Sequence, residues 1–299
     1  SNGTPDRDNF DVVKLLEEGA PSIDDIFPSC SVNNKVYDCN LLLHPVLTEI
    51  GMCFSFNLQS FKTIFNERVI SSDFHSYKND RESLKENWTL QNGYTTSERR
   101  TTPHRSILGL SFKLFIAINE TDLHDFCEVL KSSFRLYYHM PNEIGTRWHE
   151  SYSANFDFHH ELKMTAKKFQ RHPALRKYPI NLRQCYFEGE KKLQFFRTFT
   201  KAQCNFECLA NFTLRRCGCV RFSYPRTQTT PICDFNMTQC YLDANADWPK
   251  FDEMSNSTIM PCDCYPPCSE IRYSIKNSHF DEHNEITSNS VRTLKAKRK

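Results

Sequence analysis

The sequence predicts an α+β fold, in which antiparallel strands and a few short helices lead into a helical module cross-linked by disulfides. Three observations carry this prediction. Ten of the fourteen cysteines lie between Cys185 and Cys268, a density that marks a disulfide scaffold. The run GLSFKLFIAIN places Leu110, Phe112, Leu114, Ile116 and Ile118 on one face, the period of a half-buried strand. The stretch LQFFRTFTKAQCNFECLANFTLRRCGC keeps roughly helical apolar spacing through Phe195, Phe196, Phe199, Leu209 and Phe212, and Gly218 stands where that helix should end.

The remaining elements follow in chain order. Residues 1–29 are acidic and contain a helix with Val12, Val13, Leu15 and Leu16 as its apolar face; Gly19 and Pro21 stop it. Cys30 to Asn57 reads as extended. Residues 61–105 are polar and irregular, and read as mostly loop. After the strand at 110–118, Phe134, Leu136 and Tyr138 alternate again, and MPNEIG signals a turn. Residues 151–170 suit a further strand pair. SEIRYSI, directly after Cys268, reads as one more strand, followed by a basic tail, SNSVRTLKAKRK.

Bulk properties narrow the function classes. A chain of 299 residues can bury a sizeable core. A formal net charge of +2 gives no reason to expect nucleic acid as a partner. The 24 Phe and 12 Tyr argue against disorder. No apolar run approaches the roughly 20 residues that cross a bilayer, and SNGTPDRDNF has no signal-peptide core. The expectation is a soluble protein or one exposed piece of something larger. Six Asn-x-Ser/Thr sequons, at Asn2, Asn87, Asn119, Asn211, Asn236 and Asn256, agree with the cysteines on an oxidising, glycosylating route.

The cysteine spacing selects a connectivity. Cys204 and Cys208 share one face of the expected helix, about 6 Å apart along its axis. Cys262 and Cys264 share one face of an extended segment, about 6.6 Å apart, and Pro261, Pro266 and Pro267 favour that extended form. Matching the two pairs gives parallel rungs, Cys204–Cys264 and Cys208–Cys262. Cys185 and Cys268 close the outside. Nesting inward gives Cys217–Cys240 and Cys219–Cys233. Ten cysteines admit many pairings; the spacing argument selects this one. Zinc is disfavoured, because the spacings are C-x-C and C-x3-C without paired histidines. No C-x-x-C redox motif occurs.

The motifs also carry a family resemblance. CNLLLHPVLTEIGMCFSFN, with Thr48, Gly51, Cys53, Phe56 and Asn57, resembles a stretch of degenerin/epithelial sodium channel ectodomains. CNFEC, RRCGCV, YPR and CDCYPPCSEIRY resemble the cysteine-rich thumb of that family, closest to its insect pickpocket branch. The likeness runs in order over most of residues 8–280. It implies a hand-shaped ectodomain: finger, palm and β-ball within 1–183, thumb at 184–268, and a continuing strand and basic tail at 269–299. It implies homo- or heterotrimers, two transmembrane helices per subunit, sodium as the permeant ion and block by amiloride. It implies the same five nested thumb disulfides and a finger pair, Cys30–Cys39. Cys53 either bonds a cysteine of the first palm strand, which is not in this chain, or pairs with Cys127. The transmembrane helices, pore and amiloride contacts have no counterpart here, so the expected role is the extracellular, stimulus-sensing part of a channel subunit at the cell membrane. Asn181, Leu182 and Arg183 stand where the family has an aromatic contact before the thumb.

Other candidate residues carry weaker signals. Asp243 and Asp247 lie close to the paired thumb aspartates of the acid-sensing relatives, and Asp24 and Asp25 could face them as finger acids. The plain alternative is acids near a helix start. His159 and His160 are adjacent and point apart on a strand, so joint metal binding is not expected. Trp88, Trp148 and Trp248 read as packing residues. No nucleophile motif, phosphate loop or metal-carboxylate array appears, so neither enzyme activity nor a cofactor is expected. The competing class is a secreted disulfide-rich binding protein or receptor ectodomain without a pore.

Overall fold

A computed structural model of the chain describes residues 12–56, 58–67, 69, 88–89, 93–94, 111–117, 133–155, 158–253 and 262–281. The architecture is α+β, with small antiparallel sheets, short helices early in the chain and two long helices in the cysteine-rich part.

Helix α1 (Val12–Gly19) turns Val13 and Leu16 inward, while Leu15 is 52% exposed. The expected apolar face is thus narrower than the sequence suggests. Helix α2 (Ile23–Ile26) opens on a capping box, in which Ser22 and Asp25 satisfy each other's backbone N–H. Strands β1 (Ser29–Val32) and β2 (Lys35–Tyr37) form a hairpin over Asn33 and Asn34, both with positive φ, a conformation asparagine tolerates. Helix α3 (Cys39–Leu42) is capped by Asp38 and runs into β3 (Leu43–Thr48).

A second hairpin joins β3 to β4 (Gly51–Phe56). Its turn explains the Thr-x-x-Gly spacing. The Thr48 hydroxyl donates to the Gly51 carbonyl (2.9 Å) and accepts the Ile50 N–H (3.3 Å), while Gly51 takes φ +110°, a region closed to most side chains. The stretch expected to be mostly loop contains α4 (Phe61–Ile64) and a short pair, β5 (Trp88–Thr89) with β6 (Gly93–Tyr94).

Of the strand expected at 110–118, β7 (Phe112–Phe115) is formed. Leu110 and Ile118 lie outside the described residues. Strand β7 pairs with β1, giving the order β2-β1-β7. Phe112 and Leu114 pack against a cluster of Phe27, Cys30, Val32 and Leu43. Strands β8 (Ser133–Tyr137) and β9 (Ser151–Asn155) pair with each other. Strand β10 (Phe158–Gln170) pairs instead with β11 (Ser269–Asp281), in unbroken register from Phe158↔Asp281 to Gln170↔Ser269. Residues 151–170 therefore do supply two strands, but to two different sheets.

A 3-10 helix at Pro173–Lys177 and helix α5 (Ile180–Arg183) follow β10. Helix α6 (Lys201–Cys217) starts eight residues later than Leu193, where the apolar spacing first suggests it. Two groups hold the preceding residues out of the helix. The Glu207 carboxylate accepts the N–H of Gln194 (2.9 Å) and Phe195 (2.8 Å). Thr200, in extended conformation, caps the helix by accepting the Gln203 N–H (3.2 Å). Phe195 and Phe196 are core residues all the same, with Phe196 bridging to Phe65 in extended form. Gly218, φ +72°, ends α6 as expected. Helix α7 (Thr238–Glu253) packs beside α6. The main core joins both helices to the β3–β4 hairpin through Leu47, Ile64, Phe196, Phe206, Leu209, Tyr224 and Trp248.

Candidate functional site: a cystine-braced helix pair and its junction with the sheets

The cysteine-rich module is held by five nested cystines: Cys185–Cys268, Cys204–Cys264, Cys208–Cys262, Cys217–Cys240 and Cys219–Cys233. Their sequence separations fall from 83 through 60, 54 and 23 to 14. Cys204 and Cys208 present one face of α6 to the segment carrying Cys264 and Cys262, with Cα–Cα distances of 5.6 and 5.8 Å. That segment is not a plain extended rail. Asp263, between the two cysteines, has φ +45°, so the chain kinks at the residue that separates the rungs.

The outer rung is continuous with the long ribbon. After the last register pair, Gln170↔Ser269, the Arg171 N–H donates to the Cys268 carbonyl (2.8 Å). The Cys268 N–H then donates to the Tyr186 carbonyl (2.7 Å), and the Tyr186 N–H to the Pro266 carbonyl (3.0 Å). Hydrogen bonding thus passes from β10–β11 into the Cys185–Cys268 cystine without a gap. At the far end, Cys217–Cys240 ties α6 to α7, and Arg216 donates to Asp247 (2.7 Å) across the same pair of helices.

Helix α6 meets the sheets at a buried polar junction. Its first turn reaches the loop after β8, where Gln203 Nε2 donates to the Asn142 carbonyl (2.9 Å). In that loop Glu143 is 4% exposed. Its Oε2 accepts the Met140 N–H (3.0 Å) and stands 3.3 Å from His149 Nε2. The Thr146 N–H donates to His149 Nδ1 (3.1 Å), which turns Nε2 toward the carboxylate. Burial pushes the Glu143 carboxyl up, but the hydrogen bond and the charge of His149, with hydrogen bonds from the Thr200 hydroxyl and the Met140 N–H, outweigh it and hold it below the usual value. His139, 5.8 Å from His149 ring to ring, donates from Nδ1 to the Met140 carbonyl (2.9 Å); its burial lowers its pKa and keeps it neutral. Beside this cluster lies a cavity of about 210 Å³, lined by Tyr138, Glu143, Trp148, Thr200, Ile271 and Tyr273 among others.

Two further contacts brace the junction. Buried Glu49, in the β3–β4 turn, pairs with Arg147. Asn66 Nδ2 donates to the carbonyls of Leu193 (3.1 Å), Gln194 (2.9 Å) and Phe196 (3.2 Å), and Arg197 Nε donates to that of Phe65 (2.8 Å). The segment leading into α6 is therefore clamped to the one that follows β4.

The residues singled out from the sequence are placed as follows. Cys30 and Cys39 form a cystine. Cys53 is a free thiol, 3.2 Å from the Thr48 hydroxyl, and Cys127 lies outside the described residues. Asp24 accepts from Asn40 (2.8 Å), Asp25 serves the α2 cap, Asp243 accepts from Gln239 (2.8 Å) and Asp247 pairs with Arg216. Their elements belong to different apolar clusters, one around Ile23 and Phe27, the other around Cys240 and Ala244. Asn236 is exposed, whereas Asn211 is half-buried and the Thr213 of its sequon is fully buried, its hydroxyl on the Leu209 carbonyl (2.9 Å). Asn2, Asn87, Asn119 and Asn256 lie outside the described residues. Arg183 is buried and paired with Glu190, while Leu182 is 69% exposed. His160 bonds Tyr152 (2.8 Å), and Trp148 and Trp248 pack edge to face. Among the described residues, no group of three or more His, Cys, Asp or Glu side chains is placed to hold a metal ion, and no helix is long and apolar enough to cross a membrane.

Small antiparallel sheets, a paired-helix module and nested cystines define a disulfide-braced α+β protein of the kind made in an oxidising compartment. The chain belongs to the amiloride-sensitive sodium channel family, whose pattern matches residues 3–299. It is 24% identical to Pickpocket protein 28 of Drosophila melanogaster over 87% of its own length and 43% of that protein. It is 26% identical to Pickpocket protein 11 of the same fly, over 95% and 48%. It is 22% identical to the sodium channel protein Nach of Drosophila ananassae, over 91% and 45%. The chain spans less than half the length of these curated relatives.

Proposed function

We propose that this chain is the extracellular, stimulus-sensing part of a pickpocket-like sodium channel subunit, with residues 1–183 as finger, palm and β-ball, 184–268 as thumb and 269–299 as a continuing strand and basic tail. The observation that carries the reading is mechanical. Five cystines stiffen the helix pair, and the outermost is hydrogen-bonded into the thirteen-residue β10–β11 ribbon. A displacement of such a cross-linked module is transmitted to the ribbon, where a soft module would absorb it. Sodium permeation, block by amiloride, assembly as a homo- or heterotrimer and residence at the outer face of the cell membrane are properties we assign to the whole subunit. The sequons, exposed Asn236 above all, suit that location.

The test is to express this sequence within its complete subunit, alone and with candidate partner subunits, and to record whole-cell current. The expected result is an inward current that falls when sodium is replaced by a large organic cation and is reduced by amiloride. Surface delivery of the subunit without any such current, alone or in combination, would overturn the proposal in favour of a binding protein without a pore.

A further inference from the structure

The β10–β11 ribbon carries a charge pattern that works against its own stability. From Leu162 to Phe187 the sequence holds seven Lys and Arg residues and no Asp or Glu. Pairing with β11 concentrates this charge instead of offsetting it. The register sets Lys163 opposite Lys276 and Lys167 opposite Arg272, and directly opposed side chains stand on the same face of a ribbon. Like charges placed in this way repel. The four cations form two ranks, about 5 Å apart across the strands and about 13 Å apart along them.

All four cations are exposed, with the exposed pair Thr165 and Ser274 between them. Two acids share the face. Half-buried Glu270 is taken by Arg272, whose guanidinium also lies 4.7 Å from the centre of the Phe169 ring. Glu161 stands beyond Lys163, at the far end. Among the described residues, no carboxylate pairs with Lys163, Lys167 or Lys276. Exposed Arg171 carries the basic run past the last register pair. The whole chain has a formal net charge of only +2, so the positive field is a property of this ribbon and not of the molecule at large.

We propose that this ribbon face binds a linear sulfated polysaccharide, whose sulfates lie between the opposed cations and along the two ranks. Three features select that partner. Cystines form on the secretory route, and sulfated polysaccharides of the heparin type are polyanions met there by basic patches. The face is rich in lysine, whereas protein–protein interfaces are depleted in lysine and built around an apolar core. Among its described side chains the one large apolar group, Phe169, lies under Arg272, so the face offers nothing to insert into a bilayer. A sulfate placed between Lys163 and Lys276 turns a repelling pair into two charge-assisted contacts.

The test titrates a heparin dodecasaccharide into the folded, disulfide-intact chain at about 0.15 M salt and follows backbone amide NMR shifts. Unsulfated heparosan of the same length, polyglutamate of matched charge and phosphatidylserine vesicles are the comparisons. The expected result is saturable shifts confined to residues 161–171 and 270–276, given by the sulfated chain alone. Lys163→Gln combined with Lys276→Gln should weaken binding about tenfold and make it less sensitive to salt. The same variant should unfold at an equal or higher temperature, because the repulsion is gone; a merely structural pair would lose stability instead. Lys113→Gln, an exposed lysine on β7, should leave the affinity unchanged. Absence of saturation, an equal response to any of the three comparisons, unchanged affinity in the double variant, or an equal loss in Lys113→Gln would each overturn the site. The proposal rests on the extracellular placement proposed above, but no current is recorded, so its failure is distinguishable from failure of the channel reading.

Discussion

His139 and Glu143 titrate to the same effect, although one is a base and the other an acid. Burial lowers the pKa of His139 below its ordinary 6.5, so the unfolded chain takes up a proton that the folded chain refuses. Its contribution is present above pH 6.5 and is lost as pH falls below it. The Glu143 carboxyl, held below its ordinary 4.5, contributes above that value and loses its contribution as pH drops through the folded pKa. Thermal unfolding should therefore show stability declining in two steps on acidification, the first with a slope of up to about 1.4 kcal/mol per pH unit. His139→Gln should flatten the step that begins below pH 6.5 and leave the lower one. An identical slope in wild type and variant would show that other groups govern the first step. Cys53 is governed by the same physics, since burial raises its thiol pKa and the thiolate is correspondingly scarce at neutral pH.

Helix α6 shows how far local sequence reaches. Its C-terminal stop was legible, because Gly218 is the residue type that accepts a left-handed cap. Its start was not, because Phe195 and Phe196 keep the helical apolar period while their backbone is held extended by Glu207 and Asn66. Thr200 sets the true start and also holds Glu143. Thr200→Ala should cost about 1 to 2 kcal/mol in urea unfolding, one cap together with one buried hydrogen bond. Thr200→Ser, which keeps the hydroxyl, should recover most of the loss, and a failure to recover would assign the effect to the methyl group. The junction itself was hidden for a related reason. MPNEIG reads locally as a turn, and the loop is one, but Glu143 gains its meaning from α6 and from His149 after the chain has folded. The cystine rungs were legible because a four-residue helical spacing facing a two-residue extended spacing is itself a geometric statement. The kink at Asp263 carried no signal, since aspartate is only a mild left-handed former.

At the scale of the whole molecule, the nested cystines divide the work unequally. With Cys204–Cys264 in place, Cys185–Cys268 closes only the short lengths on either side of it, and its entropic effect is about 3 kcal/mol. Its larger role is mechanical, because it alone among the five lies at the end of the β10–β11 ribbon. Replacing both Cys185 and Cys268 by serine should lower unfolding stability by about that amount. It should also raise amide hydrogen exchange at Arg171 and Tyr186 far more than within α6, where the inner cystines remain. Uniform loss of protection throughout the module would refute this division.

The unbroken β10–β11 register has a consequence for descent as well as for mechanics. Everything from Arg171 to Cys268 enters and leaves between two directly paired residues, Gln170 and Ser269. In topological terms the whole braced module is an insertion at the tip of one hairpin. An insertion with a single doorway can be lengthened, shortened or exchanged for a relative's version without shifting a strand register elsewhere. Its contacts with the rest of the chain are the core it shares with Leu47, Ile64, Phe65 and Trp148 and the hydrogen bonds at Asn66, Asn142 and Glu143. A chimaera that carries residues 171–268 from a relative, with those core and polar partner positions matched, should keep the ribbon intact and change only what the module responds to.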